Sequence, residues 1–400
     1  MNQSLWQKLK RVKLLDLCHI ALFLIAIPIA LIYRMRHRNI WLFCDLPGEA
    51  RDNGYWLFRY VREKHPELDA IFAINSTSPD YMKVAVFGKT VPFGSYRHWI
   101  LYLSAKHVIS SQKASGPNAS VCYVLERFRL FRGNKIFLQH GIIKDNISFL
   151  YYKYTNIRLF TCSTEAEFQY VKEHYGYPNG HVQLLGLCRF DELLKPSCTE
   201  NTLLIIPTWR KWLSHPTEGT HKQDLENGFL NSSFYQNWNG LLNSDTFSQM
   251  LEYHNWNAVF YLHREMQKYS KHLQSSSSRI RIGTFPEFEV QSLLKQSKLL
   301  VTDYSSVAMD FALLNKPLCY YQFDYEDFRK RHLEEGYFNY IDDGFGPVCK
   351  NEQELLNTIS KYISETFSED SIYQYRRDMF FTLRDCNNCK RTYEAIVKID

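Results

Sequence analysis

The sequence predicts an α/β protein with two halves, each built on a parallel sheet, and closed by helices near residue 400. Short apolar runs of strand length alternate with helical patterns through both halves of the chain. The pattern loosens once, around residues 186–197, where Pro196 and Ser197 interrupt it. The length of 400 residues also exceeds that of one typical domain.

These observations divide the chain into four parts. Residues 1–38 form a basic segment around an apolar stretch, and residues 39–187 form an N-terminal Rossmann-like domain. Residues 188–370 form a second Rossmann-like domain, and residues 371–400 form a closing helix.

Mostly apolar runs of three to seven residues predict the strands of both halves. In the first half these runs are Ile40–Cys44, Ala70–Ile74, Lys106–Ser111, Lys135–Gln139 and a run that begins at Leu159. In the second half they are Leu203–Ile206, Trp256–Leu262, Ile280–Ile282, Leu299–Val301 and Leu318–Tyr321. A helix that follows the strand at Leu159 is predicted to end at Tyr175. Further helices are predicted at Tyr55–Lys64, Pro286–Ser297, Val307–Leu314, Glu352–Phe367 and Tyr373–Ile399. Residues 214–246 are polar and glycine-containing, and they predict a long loop with one short helix at most.

The excess positive charge lies at the N-terminus. Residues 1–38 carry seven basic residues and one acidic residue, whereas the rest of the chain carries 41 of each. A nucleic-acid-binding protein would carry its charge on a face of the folded body. The pattern excludes that class and favours an anionic membrane surface.

The apolar stretch Leu17–Tyr33 is near the minimum length for a membrane-spanning helix, and Pro28 would bend it. Three interpretations stay open: a bent helix that dips into the cytoplasmic leaflet, a single-pass anchor, and a buried helix of the first domain. The ten cysteines are scattered apart from Cys386 and Cys389, which predicts free thiols in a reducing compartment rather than a zinc site. We therefore expect the body on the cytoplasmic side of the cell membrane.

Three predicted strands end on polar residues that suit chemistry. They run into Gln139-His140-Gly141, into Leu262-His263-Arg264 and into the turn Thr302–Ser306. A histidine titrates near neutral pH, and a following glycine lets the backbone approach a ligand. Ligands of parallel α/β sheets bind at the carboxyl ends of strands, so these residues predict a site.

Each of these residues also has a structural interpretation. Ser305 or Ser306 suits either a phosphate or the cap of the following helix. Arg210, at the end of Pro207-Thr208-Trp209-Arg210, suits a bidentate phosphate contact or an ion pair. Lys144 and Asp145 could pair with phosphate and orient a base, or cap a helix.

The known nucleotide and metal motifs are missing from the sequence. There is no GxGxxG, Walker loop, HExxH or GxSxG. There is also no DxD pair of the kind that holds a metal with a nucleotide sugar, and Asp342-Asp343 predicts a turn. We therefore expect no metal site.

Several motifs together resemble the CDP-glycerol glycerophosphotransferases, the bacterial teichoic-acid and capsule polymerases and primases. The resemblance covers roughly residues 40–395. It rests on Phe137–Gly141, Ile205–Arg210 and Thr302–Asp310, with further likeness at Ala50–Tyr55 and Gly186–Asp191.

This resemblance implies a GT-B-like fold with an acceptor domain at residues 39–187 and a CDP-donor domain at residues 188–370. It implies transfer of a polyol phosphate from CDP-glycerol or CDP-ribitol to a hydroxyl of a lipid-linked or polymer acceptor, with release of CMP and with no cofactor. Three alternatives stay open: whether the donor carries glycerol or ribitol, whether the enzyme is a primase or a polymerase, and whether the product is a wall polymer or a capsule. The alternatives are a GT-B glycosyltransferase that uses a nucleotide sugar and an inactive polymer-binding membrane module.

The resemblance also implies roles for individual residues. His140 would be the general base on the acceptor hydroxyl, and His263 would contact the donor pyrophosphate. Thr208, Arg210, Thr302, Asp303, Ser305 and Ser306 would form the phosphate site, with Asp303 positioning its loop. Asp52, Asn53, Gly141, Lys144 and Asp145 would support the acceptor side. Ile142 and Arg264 depart from the family pattern, in which many members have Thr and Pro.

Overall fold

The computed structural model describes residues 14–128, 130–214, 222–364 and 369–399, without the side chain of residue 222. Within it the chain forms two compact units. The first contains the residues up to His140 together with Ser148–Asp191 and Asp385–Asp400. The second contains Gly141–Ile147 and Glu192–Arg384.

The first unit is built on a seven-stranded sheet in which every pairing is parallel. Its strand order is β3-β2-β1-β4-β5-β6-β7. The strands are β1 (Ile40–Phe43), β2 (Asp69–Ala73), β3 (Lys89–Val91), β4 (His107–Ser110), β5 (Asn134–Phe137), β6 (Leu159–Cys162) and β7 (Val182–Leu184). All residues of β1, β4 and β6 are buried, which explains why these strands are visible in the sequence as continuous apolar runs.

Helices flank this sheet as expected of a doubly wound fold. They are α1 (Leu14–Arg36), α2 (Asn53–Lys64), α3 (Tyr81–Ala85), α4 (Tyr96–Ser104), α5 (Ala119–Arg127), α6 (Tyr152–Thr155), α7 (Glu165–His174) and α8 (Phe190–Leu193). A 3₁₀ helix covers Ser148–Leu150.

The second unit has a six-stranded parallel sheet in the order β10-β9-β8-β11-β12-β13. Its strands are β8 (Glu200–Ile206), β9 (Asn257–Tyr261), β10 (Ile280–Gly283), β11 (Ser297–Thr302), β12 (Leu318–Tyr321) and β13 (Val348–Cys349). Its helices are α9 (Lys211–Ser214), α10 (Lys222–Leu230), α11 (Ser233–Leu242), α12 (Asp245–Tyr253), α13 (Val290–Gln296), α14 (Val307–Leu313), α15 (Tyr325–Arg331), α16 (Glu352–Ile363) and α17 (Ser371–Phe380), and a 3₁₀ helix covers Arg264–His272. These two parallel sheets confirm the predicted fold class.

Residues 222–253 form three helices, so the predicted loop over residues 214–246 is wrong. Ser232 and Ser244 cap α11 and α12 with their side chains. Their apolar residues are spaced so that one side of each helix enters the core, where Trp238 and Phe247 are fully buried. Burial of that side outweighs the weak helix propensity of the asparagine and glycine residues.

The end of the chain returns to the first unit. Helix α18 (Asn388–Val397) begins where the Asp191 carboxylate accepts hydrogen bonds from the N–H groups of Asn388 (2.9 Å) and Cys389 (2.8 Å). Gly186 has a φ of +81°, and a side chain there would collide with that of Asn388. The predicted closing segment, residues 371–400, is therefore divided between the units. Helix α17 belongs to the second unit, and α18 belongs to the first.

Helix α1 is long and apolar enough to cross a membrane, judged by length and composition. One side of it packs on α4, where Trp99 Nε1 donates to His19 Nδ1 and Ser104 Oγ donates to the Ala30 carbonyl oxygen, both at 3.1 Å. The buried residues of α1 are Asp16, His19, Ala26 and Ala30. Its outer face is exposed and apolar, formed by Leu17, Ile20, Leu24, Ile25, Ile29, Leu31 and Ile32. A fully buried domain helix, one of the three interpretations, is therefore excluded.

Candidate active site

In the first unit, strand β5 leads into His140, whose imidazole pairs with a carboxylate. Nδ1 of His140 lies 2.6 Å from Oδ2 of Asp52. Asp52 stands at the start of α2, where its side chain accepts the N–H of Asn53 at 2.8 Å. The His140 side chain is 63% exposed. An aspartate that holds Nδ1–H leaves Nε2 as the basic nitrogen, which is the arrangement of a general base.

Arg189 binds both members of this pair. Its Nη1 donates to the His140 carbonyl oxygen at 3.0 Å and lies 3.4 Å from Oδ1 of Asp52. Burial by itself would raise the pKa of Asp52, but His140 and Arg189 hold that pKa below its usual value. Asp52 is therefore a carboxylate at neutral pH and can stabilise an imidazolium.

The backbone before His140 is held in an unusual conformation. Gln139 has a φ of +65°, in the left-handed region. Its carbonyl oxygen accepts from Asn53 Nδ2 and its side-chain amide donates to Oε1 of Glu167, both at 2.8 Å. Glu167 is fully buried and also accepts the N–H of Ser163 at 2.7 Å. This network fixes the direction in which the His140 side chain leaves the sheet.

A second carboxyl, Asp45, lies buried behind Asp52. Its Oδ1 accepts the N–H of Ser111 at 2.7 Å. Gly54 leaves just enough room, because a Cβ there would collide with the Asp45 carboxyl group. Burial, followed by the charge of Asp52, raises the pKa of Asp45 to about 7.

In the second unit, the turn after β11 joins the ends of two neighbouring strands. Oδ1 of Asp303 accepts the N–H groups of Thr208 (2.7 Å) and Tyr304 (2.6 Å). Thr302 Oγ1 donates to the Ile206 carbonyl oxygen at 2.6 Å. Thr302 and Asp303 are fully buried. They shape the turn from inside, and the role of Asp303 in positioning the phosphate loop stays a prediction.

Arg210 is fully buried and does not present its guanidinium to a ligand. Nε and Nη2 donate to Asp324 at 2.8 and 2.9 Å, Nη2 also lies 2.9 Å from Asp303, and Nη1 donates to the Thr208 carbonyl oxygen at 2.7 Å. The predicted direct phosphate contact is therefore corrected to a positioning role. The sequence could not show this, because Asp324 lies 114 residues from Arg210 along the chain.

Ser305 and Ser306 are the half-buried hydroxyls of this turn. Ser305 Oγ accepts the N–H of Val307 at 3.3 Å. Ser306 Oγ would lie 2.8 Å from a Cβ on Gly141, so glycine at position 141 leaves that hydroxyl space. Thr208 is buried, and its hydroxyl has no partner among the residues described.

His263 and the pair Lys144–Asp145 also lie in the second unit. His263 Nδ1 accepts the N–H of Glu265 at 3.3 Å, and its ring stacks on Trp209 with centroids 6.1 Å apart. The Lys144 ammonium pairs with Asp145, whose other oxygen accepts from Arg329 Nη1 at 2.6 Å. Burial would raise the pKa of Asp145, but Lys144 and Arg329 lower it below its usual value.

The predicted residues thus gather into two clusters. Asp52, Asn53 and His140 meet in the first unit, and Gly141, Lys144, Asp145, Thr208, Arg210, His263, Thr302, Asp303, Ser305 and Ser306 lie in the second. Sequence reasoning missed four partners: Asp45, Glu167, Arg189 and Asp324. Arg189 and Asp45 stand in polar segments directly after apolar ones, which is the one local signal that could have found them. No group of three His, Cys, Asp or Glu residues placed to hold a metal occurs in the part of the chain that the structure describes.

The chain was compared with known families and proteins. A family model described as "CDP-Glycerol:Poly(glycerophosphate) glycerophosphotransferase" matches residues 25–398. The minor teichoic acid biosynthesis protein GgaB of Bacillus subtilis (strain 168) is 33% identical over 391 residues, which cover 94% of this chain and 42% of GgaB. The teichoic acid poly(ribitol-phosphate) polymerase of Bacillus spizizenii is 34% identical over 110 residues, which cover 27% of this chain and 17% of that protein. The chain thus spans about two fifths of the length of GgaB.

Solved structures show a similar fold. The wall teichoic acid polymerase TagF, in a variant soaked with CDPG, superposes with a TM-score of 0.63 at 15% identity, covering 95% of this chain and 96% of the TagF chain. The S. aureus MnaA–UDP structure superposes with a TM-score of 0.55 at 11% identity, covering 90% of this chain and 95% of that one. At these identities the likeness establishes the two-sheet GT-B-like fold alone.

Proposed function

The chain belongs to the CDP-glycerol:poly(glycerophosphate) glycerophosphotransferase family, and on that premise we propose that it transfers a polyol phosphate from a CDP-activated donor to an acceptor hydroxyl. The donor is CDP-glycerol or CDP-ribitol, and CMP is released. The acceptor is a lipid-linked or polymer chain in teichoic acid or capsule synthesis. The family description names glycerophosphate, which supports CDP-glycerol, and one relative is a poly(ribitol-phosphate) polymerase, which supports CDP-ribitol.

The pair of His140 and Asp52 is the observation that carries this proposal. In the reaction, the acceptor oxygen forms a bond to the phosphorus that carries the polyol. The bond from that phosphorus to the oxygen shared with the CMP moiety breaks, and CMP leaves with the electron pair. The acceptor proton passes to Nε2 of His140, and the Asp52 carboxylate stabilises the resulting imidazolium.

The second unit supplies the donor side in this proposal. Phosphoryl transfer needs positioning and charge stabilisation more than covalent help from the protein. His263 and the hydroxyls of Ser305 and Ser306 would contact the diphosphate. Arg210 and Asp303 would keep the turn in shape, because both are buried and paired with each other inside the unit.

A donor panel tests the proposed function. The full chain is given CDP-glycerol, CDP-ribitol and nucleotide sugars with a lipid-linked acceptor, and released CMP and UDP are measured. We expect CMP from a CDP-polyol. Release of UDP would favour a glycosyltransferase, and binding without turnover of any donor would favour an inactive polymer-binding module.

Substitution of His140 tests the proposed base. His140→Ala should lower kcat roughly 10²–10⁴-fold, because general-base catalysis contributes about that much. His174→Ala is the matched control, since His174 is an exposed histidine on α7 of the same unit. Turnover by His140→Ala close to that of the control would contradict the assignment.

We also propose that α1 lies along the cytoplasmic face of the cell membrane. Its outer face is apolar, whereas its other side is tied to α4 by the polar contacts of His19 and Ala30. A helix that spans the bilayer would have to release those contacts. Arg34, Arg36 and Arg38 follow the apolar stretch, and they suit anionic headgroups.

A further inference from the structure

Trp209, just beyond the carboxyl end of β8, contacts two histidines of the second unit. His263 stacks on it with ring centroids 6.1 Å apart. The ring of His332 meets Trp209 edge to face, with centroids 4.6 Å apart. His332 directly follows α15 and is also stacked on Phe328 at 4.8 Å. His332 therefore belongs to the same strand-end cluster as His263, although no sequence motif contains it.

The hydrogen bonds of His332 determine which ring nitrogen carries the proton. Nδ1 accepts the backbone N–H of Lys211 at 3.1 Å, so in the neutral ring the proton is on Nε2. Nε2–H has no acceptor among the residues that the structure describes, and it is not one of the buried atoms that lack a partner, so a ligand can reach it. The packing of Phe328 and Trp209 explains the place of the ring but leaves this donor unused.

The surroundings keep the ring neutral. Burial, followed by the charge of Arg210, lowers the pKa of His332 to about 3. Lys144 and Lys211 also lower this pKa, whereas Asp145 opposes them. His332 is therefore a hydrogen-bond donor of constant charge throughout the neutral range, unlike a base that must exchange protons.

The carboxylate that opposes these cations, Asp145, is already paired. Asp145 is shared between Lys144 and Nη1 of Arg329. Lys211 is exposed at the start of α9. A ligand that complements the Nε2–H of His332 and the Lys211 ammonium must bring oxygen acceptors and negative charge, and a phosphate group brings both.

We propose that His332 is a phosphate-binding residue of the donor side, whose Nε2–H donates to a non-bridging oxygen of a phosphate ester. The assignment rests on the proposed polyol-phosphate transfer. The phosphate belongs either to the donor diphosphate or to a phosphodiester of the acceptor. Lys211 adds positive charge beside it.

His332→Phe is the main test, because phenylalanine preserves the ring contacts with Phe328 and Trp209 but removes the N–H. Titration calorimetry on the full chain measures the dissociation constants of CMP and CDP. We expect CDP to bind at least about tenfold more weakly and CMP to change less than about threefold, since a hydrogen bond to a charged group is lost. His332→Gln, which retains an N–H, should recover part of the affinity.

Two further variants protect the test against misfolding. Lys211→Gln changes an exposed side chain. Like His332→Phe, it should weaken the binding of CDP more than the binding of CMP. His254→Phe is the matched control, because His254 precedes β9 at the opposite, amino edge of the sheet. It should leave both constants unchanged.

The acceptor is the second possible source of the phosphate. If His332→Phe raises the KM of the phosphodiester acceptor about tenfold and leaves CDP binding unchanged, the phosphate is that of the acceptor. If His332→Phe binds CMP, CDP and the acceptor as tightly as the control His254→Phe does, the proposal is overturned. A wild-type chain that binds CDP but turns over no donor would contradict the proposed function, and the CDP measurements would still decide the role of His332.

Discussion

At the scale of residues, charged side chains of one type have different roles according to their partners. Arg189 lies beside His140 and keeps a small part of its side chain exposed, whereas Arg210 is fully enclosed with Asp303 and Asp324. Both follow apolar segments in the sequence. Their partners come from distant parts of the chain, so the role of each arginine depends on what the fold brings beside it.

Removal of the Arg210 guanidinium should destabilise the protein strongly. Arg210→Leu leaves the carboxyl groups of Asp303 and Asp324 buried without their cation, which costs roughly 3–5 kcal/mol in similar cases. Urea unfolding measures the loss, with Lys330→Leu as an exposed control. Addition of Asp324→Asn to Arg210→Leu should restore part of the stability. Equal unfolding midpoints for Arg210→Leu and the control would contradict the role given to this ion cluster.

Asp45 should make stability depend on pH. Its pKa is about 7 in the folded protein and about 3.9 in an unfolded chain, so the folded state holds the proton more tightly. The stabilisation is complete below pH about 4 and is lost as the pH rises through about 7. As the pH rises from 4 to 8, the unfolding free energy of Asp45→Asn should therefore increase relative to that of wild type by up to about 4 kcal/mol. Chemical unfolding at several pH values tests this, and a difference that stays constant with pH would contradict it.

At the scale of elements, β5 ends in a turn that two helices hold in place. Asn53, the first residue of α2, binds the Gln139 carbonyl oxygen, and Glu167 near the start of α7 binds the Gln139 side chain. These contacts maintain a φ of +65° on a residue that is not glycine. Such a conformation persists where surrounding structure enforces it, and here it directs His140.

Glu167→Ala should separate catalysis from donor binding. Loss of the buried carboxylate frees the Gln139 side chain, and His140 should be held less accurately over the acceptor hydroxyl. We expect kcat to fall about 10–100-fold and the KM of the CDP donor to change little, because misplacement of reacting groups acts on the rate. Glu165→Ala, an exposed acid on the same helix, is the control. Equal losses in donor affinity and kcat would indicate general damage to the unit instead.

At the scale of the whole molecule, the net charge of +6 is confined to residues 1–38. The outer face of α1 lies next to that charge and is apolar. Deletion of the segment would also uncover Trp99, whose Nε1–H is bound by His19. Substitutions on the outer face are therefore the sharper test of membrane attachment.

A variant with glutamine at Leu24, Ile25, Leu31 and Ile32 should lose its binding to anionic lipid vesicles. These side chains are exposed, so the variant should unfold at nearly the wild-type temperature. A double variant, Met82→Gln with Val86→Gln, removes exposed apolar side chains elsewhere on the same unit and should still bind. Vesicle flotation measures the bound fraction. Flotation of the glutamine variant like wild type would show that another surface attaches the protein.

The sequence by itself determined the two α/β sheets, the apolar N-terminal segment and the positions of His140, His263 and Asp303. A buried strand followed by polar residues is a local pattern, and it survives in any context that buries the strand. The helices of residues 222–253 and the partners of Arg189 and Arg210 were decided by the tertiary structure alone. Arg189 lies 137 residues from Asp52, and Arg210 lies 114 residues from Asp324. Contacts across such separations depend on how the strands are ordered in each sheet, and local propensity carries no information about that order.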